Sequence, residues 1–311
     1  MSLRIIFSGS GEFGVPTLEA LLRSPHHVVQ VVSQPDRPAG RGRGLTPTPI
    51  SQAALAASLP LLRTDNINAE KLPDADVMVV IAFGQKIAEP IVHHPRLGSI
   101  NLHASRLPKY RGAAPINWAI LSGETVAGNS VIRLAQKMDA GAVLAQSAVP
   151  IGDTETAGEL HDRLAHDGVN LVLKVIEDLE ASRATEHPQD ESQATLAPKL
   201  SRAAAKLDFT RPAEEVARKI RGLHPWPGCR VTLRDAAGGE LARLRLVRAR
   251  PAASEGPRWH PGEIMTDGFL QTGDGGLEVI DLQPDGRGIM PLADYRRGHP
   301  WPPGARVEAV E

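Results

Sequence analysis

Four short runs of apolar and β-branched residues constrain the fold of this chain more than any other feature. They are Leu3 to Ser8 (LRIIFS), Val28 to Ser33 (VVQVVS), Val77 to Ala82 (VMVVIA) and Ser99 to Leu102 (SINL). Polar and apolar residues hardly alternate along them, so neither face of these strands is built for water, as in a parallel sheet covered on both sides. Between the runs lie stretches at helical spacing, Pro16 to Leu22, Ile50 to Ala57 and Ile87 to Val92. The first opens with a proline in the first turn, where a helix needs no N–H. Repetition of strand and helix builds βαβ units. The expected fold of the first half is therefore α/β, a Rossmann-like, doubly wound, mostly parallel sheet, with ligands beyond the carboxyl ends of its strands.

Further strands are expected at Ser130 to Leu134 and Val143 to Ile151, followed by a long helix over Thr154 to Leu179. From Ser182 to Pro198 the chain collects Ser, Thr, Gln, Pro and charge without a period, which reads as a linker. A short helix at Ala213 to Leu223 precedes strand-like segments at Cys229 to Arg234, Leu241 to Arg248, Gly262 to Met265 and Leu277 to Leu282. Turn signals at 235–239 and 273–276 separate them, and a small β-barrel is the expected result. At 311 residues the chain has room for two domains. The expected boundaries are 1–183 for the first, 184–204 for the linker and 205–311 for the second.

Composition adds exclusions. No apolar run approaches the ~20 residues that cross a bilayer, and the N-terminus leads straight into a strand-like segment, so neither a membrane span nor a signal peptide is expected. The single cysteine, Cys229, cannot form an intrachain disulfide, which fits a reducing cytoplasm. Net charge is -1, but the signs are segregated: Lys199 to Arg250 holds 13 Lys or Arg against five Asp or Glu. Such a stretch is either a scattered solvated surface or a footprint for a polyanion.

Gly9-Ser-Gly11-Glu-Phe-Gly14 matches the G-x-G-x-x-G pattern after a strand and before a helix, and Asp36 follows at the distance of a ribose-binding acid. Taken literally, this turn holds a dinucleotide and the chain is an oxidoreductase. However, Asp36 lies in Gln34-Pro-Asp-Arg-Pro38, a loop composition, and Glu12 brings negative charge to a phosphate site. The competing reading is a tight strand-to-helix turn whose glycines serve packing alone.

The stronger constellation lies at the fourth run. Alternation projects Asn101 and His103 from one face at the carboxyl end of their strand, and Asp139 comes from a separate Lys137-Met-Asp-Ala-Gly141 loop. Singly, Asn101 suits a turn cap, His103 a core hydrogen bond and Asp139 the start of a turn. Together, an amide, an imidazole and a carboxylate with no Ser or Cys nucleophile suit direct attack of an amine on a carbonyl. Asn101 and His103 stabilise the oxyanion, and Asp139 relays the proton that the amine releases. This chemistry calls for no metal.

The motifs Asn101-Leu-His103, Ser105-x-Leu-Pro108, Arg111-Gly-Ala-Ala-Pro115 and Met138-Asp-x-Gly141 resemble those of the folate-dependent formyltransferases, in which the Asn, His and Asp are catalytic. The stretch Gln34 to Gly44 looks like a loop of the branch that formylates aminoacyl-tRNA. That likeness continues through Gln189-Asp-Glu191, Lys199-Leu-Ser201, His224-Pro-Trp-Pro227 and Pro261-Gly-Glu-Ile264. The resemblance implies 10-formyltetrahydrofolate as donor, the α-amino group of methionine on initiator tRNA as acceptor, a role in translation initiation and an OB-like second domain. It further implies folate contacts at Ser105, Arg106, Leu107 and Pro108 and around Ala82, Phe83 and Gly84, and tRNA contacts at Arg37, Arg41 and Arg43. No membrane is involved, and a monomer is expected.

Three features depart from the family pattern: Arg106 stands where an apolar residue is usual, Phe83 where Tyr is common, and Ser10-Gly11 where the family has Thr-Pro. A transferase acting on a sugar nucleotide or other small amine would share the first domain. The Gln34 to Gly44 loop and the basic second half favour the tRNA acceptor.

Overall fold

A computed structural model describes residues 2–39, 44–253 and 259–310. The chain packs as two units. The first comprises Met1–Ala113, Ala127–Val149 and His161–Ala197, the second Ala114–Val126, Pro150–Leu160 and Pro198–Glu311.

The first unit is built on seven strands, β1 (Arg4–Gly9), β2 (His27–Ser33), β3 (Leu61–Arg63), β4 (Val77–Ile81), β5 (Ser99–His103), β6 (Ser130–Arg133) and β7 (Val143–Gln146). Their spatial order is β7-β6-β5-β4-β1-β2-β3. Strands β1 to β5 pair in parallel, while β6 and β7 are antiparallel. All of β4 is buried, as its unbroken apolar run requires. From β1 the sheet grows to β2 on one side and β4 on the other, so the switch point of the doubly wound fold lies at the carboxyl ends of β1 and β4.

Helices α1 (Val15–Arg23), α2 (Pro49–Ala56) and α3 (Ala157–Glu180) accompany this sheet. Thr48 caps α2 by accepting from the Ser51 N–H at 3.0 Å, with Pro49 in the first turn. On α3, Gly168 sits against Leu102 of β5; a Cβ there would lie 2.5 Å from Leu102 Cδ2. Leu102 therefore faces the helix, and Asn101 and His103 project from the opposite face.

Strand β7 ends at Gln146, short of the expected Ile151, because Ser147 turns inward to bond with Asn129 and Asp167. Within 184–204, His187 pairs with Val143, and Leu196–Ala197 forms a parallel ladder with Arg111–Gly112. Beyond β2, Arg37–Ala39 and Gly44–Thr46 form an antiparallel ribbon.

The second unit carries α4 (Ala213–Gly222) and strands β8 (Cys229–Arg234), β9 (Glu240–Ala252), β10 (Leu270–Gln271), β11 (Gly276–Pro284), β12 (Met290–Pro291) and β13 (Arg306–Ala309). Their order is β10-β11-β9-β8-β13, with β12 added on β11, all antiparallel. The expected strand Gly262 to Met265 is reduced to two bridges, Glu263 with Arg306 and Ile264 with Leu270, which nearly close an OB-like barrel. Val216, Ala217 and Ile220 of α4 join Cys229, Val231, Leu233, Leu246 and Leu282 in its core.

The basic excess of this half is partly neutralised by carboxylates from outside the stretch that carries it. Arg248 pairs with Glu159 at 2.6 Å and Asp281 at 2.7 Å, Arg250 with Glu278 at 2.6 Å and Arg234 with Glu308 at 2.9 Å. No helix among the described residues is long and apolar enough to cross a membrane.

Candidate active site

Parallel pairing sets Val80 beside Asn101, so the β4 end and the β5 end reach the same edge of the sheet. Asn101 is half-buried, and its side-chain amide makes no hydrogen bond to any described residue. His103 is buried at 7% exposure. Its Nε2 lies 2.9 Å from the Tyr110 carbonyl oxygen. A carbonyl only accepts, so Nε2 carries the proton of the neutral ring. Nδ1 is left facing Asp139 Oδ1 at 3.7 Å, where a second proton would find a carboxylate beside it.

Asp139 arrives on the loop between β6 and β7 in the left-handed region, φ 53. Its Oδ2 accepts the Gly112 N–H at 2.9 Å. Gly141, two residues on, must lack a side chain, because a Cβ would stand 1.8 Å from the Arg133 carbonyl oxygen. The structure thus brings Asn101, His103 and Asp139 to one edge. It also adds two motifs to which the sequence assigned no role: Arg111 binds Gln189 and Glu191, and Gln189 binds the Asp139 loop.

Of the residues expected to meet folate, Ser105 is buried and its hydroxyl donates to the Lys109 carbonyl at 2.6 Å. Ser130 Oγ donates to the Ser105 carbonyl at 2.6 Å and accepts the Leu107 N–H at 3.0 Å, which fixes the loop just past His103. Arg106 is exposed. Leu107 and Pro108 line a cavity of about 380 Å³ with β7 and residues 187–190. After β4, Ala82 and Gly84 are exposed with φ 47 and 76, while Phe83 points inward among Ile6, Val32 and Ile67.

The glycine turn after β1 is occupied by the protein itself. Ser10 and Gly11 both donate their N–H to the Ala82 carbonyl at 3.3 Å, and a Cβ at Gly9 would lie 2.8 Å from the Ile81 carbonyl oxygen. Asp36 pairs with Arg63 at 3.1 Å. Close packing accounts for these glycines without a dinucleotide.

Arg37 is exposed at the foot of the ribbon, where its Nη2 donates to Gln34 Oε1 at 2.7 Å. Gln34 in turn donates to the Phe83 carbonyl at 2.8 Å, tying the ribbon to the β4 loop. Arg41 and Arg43 lie outside the described residues.

Comparison with known proteins adds a second line. The formyl transferase family model matches residues 1–176, and the formyl transferase C-terminal domain model matches residues 199–300. The methionyl-tRNA formyltransferase of Moorella thermoacetica is 40% identical over 315 residues, covering 99% of this chain and 100% of that protein. That of Acidobacterium capsulatum is 41% identical over 319 residues, with 99% and 100% covered. In fold, the chain is similar to an N-formyltransferase from Helicobacter canadensis solved with folinic acid and dTDP-3-aminofucose. The TM-score is 0.65 at 16% identity, covering 88% of this chain and 97% of that one. Both halves are thus matched within one family, and its named relatives align along their whole length: this chain belongs to the formyl transferases, among the methionyl-tRNA formyltransferases.

Proposed function

We propose that this chain transfers the formyl group of 10-formyltetrahydrofolate to the α-amino group of methionine on initiator tRNA, giving N-formylmethionyl-tRNA for translation initiation. Family membership supports the reaction. The observation that carries the residue assignment is the open amide of Asn101 beside a buried His103 whose free ring nitrogen faces Asp139.

The donor supplies an activated formyl carbon. The Asn101 amide donates to the formyl oxygen as negative charge builds there, an interaction worth about 3 kcal/mol in comparable sites. Asp139 takes the proton released by the attacking amine and passes it to His103 Nδ1, where the charged ring adds positive potential at the same oxygen. As the C–N10 bond breaks and the new amide forms, that proton leaves the ring for N10, which departs as tetrahydrofolate. Tyr110, by accepting from Nε2, holds the ring in the orientation this relay needs.

Ser105, Arg106, Leu107 and Pro108, with Ala82, Phe83 and Gly84, border the folate in this reading. Arg37, Arg41 and Arg43 meet the acceptor end of the tRNA. Residues 1–183 carry the chemistry and 205–311 hold the tRNA. The protein acts as a monomer in the cytoplasm.

The deciding experiment incubates purified protein with 10-formyltetrahydrofolate and either initiator methionyl-tRNA or a dTDP-linked amino sugar. Formylmethionine released from the tRNA on deacylation is the expected product. Formylation of the sugar alone would overturn the assignment.

A further inference from the structure

Asp139 is held in an unfavourable backbone conformation, and what holds it is a second layer of side chains drawn from two distant segments. Gln189 donates both N–H of its amide to the loop, one to the Asp139 carbonyl and one to the Gly141 carbonyl, each at 2.8 Å. Its oxygen accepts from Arg111 Nε at 3.1 Å and Nη2 at 2.7 Å. Because Arg111 can only donate, the Gln189 amide cannot flip, and both of its hydrogens must point at the loop. Arg111 is buried at 5% exposure and is itself fixed by a two-pronged pair with Glu191 at 3.1 and 2.8 Å. Lys137, at the other end of the same loop, closes on Glu191 at 2.5 Å.

The next residue, Gly112, donates its N–H to the Asp139 carboxylate. The main chain and side chain of Asp139 are therefore both referenced to Arg111 and Gly112, the second of them 27 positions away. A non-glycine residue in the left-handed region costs on the order of 1 kcal/mol or more. Hydrogen bonds from an immobilised amide are a direct way to hold it there.

We infer that Arg111 and Gln189 form a positioning clamp that sets the Asp139 carboxylate against His103. Neither residue is catalytic: the clamp acts through Asp139, and the inference rests on the proton-relay role proposed above.

The test is Gln189→Glu, which keeps the shape and the oxygen facing Arg111 but turns an acceptor toward two carbonyls. Displacing a reacting group by about 1 Å costs up to ~100-fold in rate. Accordingly kcat should fall between about 10- and 100-fold while KM for folate and for tRNA stays within about twofold. Arg111→Lys keeps the charge but loses the fork, and should fall between wild type and Gln189→Glu in kcat. Circular dichroism at the assay temperature reports the folded fraction. A kcat within twofold of wild type in Gln189→Glu overturns the clamp, and so does a loss that merely follows the folded fraction. Asp139→Ala in the same series separates the two ideas. If it retains turnover, the relay role fails. If it loses turnover while Gln189→Glu keeps it, only the clamp fails.

Discussion

Two strand ends of one sheet look alike in sequence and differ in what their donors do. At the end of β1, a glycine-rich turn offers the N–H groups of Ser10 and Gly11, and both are taken by the Ala82 carbonyl. At the end of β5, the Asn101 amide hydrogen-bonds to no described residue, and one ring nitrogen of His103 faces Asp139. The first end has the more familiar motif, but its Ser10 and Gly11 donors are spent on the protein itself. The second has an unremarkable string of residues and keeps its donor open. A polar group withdrawn from water without a partner carries a desolvation cost, and in the function proposed above the substrate's formyl oxygen supplies the partner of the Asn101 amide.

The largest effect that bears on this contrast is expected for Asp139→Ala. Loss of a positioned proton carrier should lower kcat by roughly 10²- to 10⁴-fold while filter binding of tRNA persists. Activity near wild type would remove the β5 end from the chemistry. For Asn101→Ala the expected loss of kcat is about 10²- to 10³-fold, typical of a missing oxyanion donor. An effect confined to KM would make Asn101 a ground-state contact instead.

The β1 end should respond in a different quantity. In Gly9→Ala the new methyl group presses on the Ile81 carbonyl, so thermal or urea unfolding should report a loss of about 1–3 kcal/mol, with kcat per folded molecule unchanged. Saturable binding of NAD or NADP to the wild type would reverse this reading and restore the turn as a ligand site.

The smallest effect is expected away from both ends. Burial pushes the Glu159 carboxyl up, but hydrogen bonds from Arg248 and Thr156 outweigh it and hold the value down at about 2. A carboxyl lowered from the ordinary 4.5 contributes its stability fully above that pH and loses it as pH falls through about 2. Glu159→Gln should therefore flatten the fall of Tm between those values and leave turnover at neutral pH unchanged. A Tm profile identical to wild type would mean that the Arg248 pair contributes nothing measurable.

Much of this arrangement is legible in the sequence because it is local. Unbroken apolar runs predict β1, β2, β4 and β5, and alternation alone places Asn101 and His103 on one face. Asp139 joins them through its motif, which no periodicity would have supplied. The clamp was invisible for a physical reason: the Arg111 contact to Gln189 spans 78 residues, and neither local composition nor helical spacing encodes such a pairing. The same holds for residues 187–197, whose polar, aperiodic composition reads as a linker. Their positions are fixed by long-range pairings, as in the Leu196–Ala197 ladder and where Thr195 Oγ1 accepts the Tyr110 N–H across 85 residues. Likewise, the net positive charge counted from Lys199 to Arg250 does not reveal that Glu159 and Glu278, outside that stretch, offset part of it in space.

Gly112 sits where these two kinds of information meet. Its φ of 127 belongs to glycine, a Cβ would stand 2.7 Å from the Ala197 carbonyl oxygen, and its N–H ends on the Asp139 carboxylate. A residue with no side chain thus works as a spacer gauge between the Leu196–Ala197 ladder and the carboxylate. Neighbouring side chains can drift through evolution or design, but this spacing is set by backbone against backbone, and any other residue at 112 would have to move the ladder or the acid.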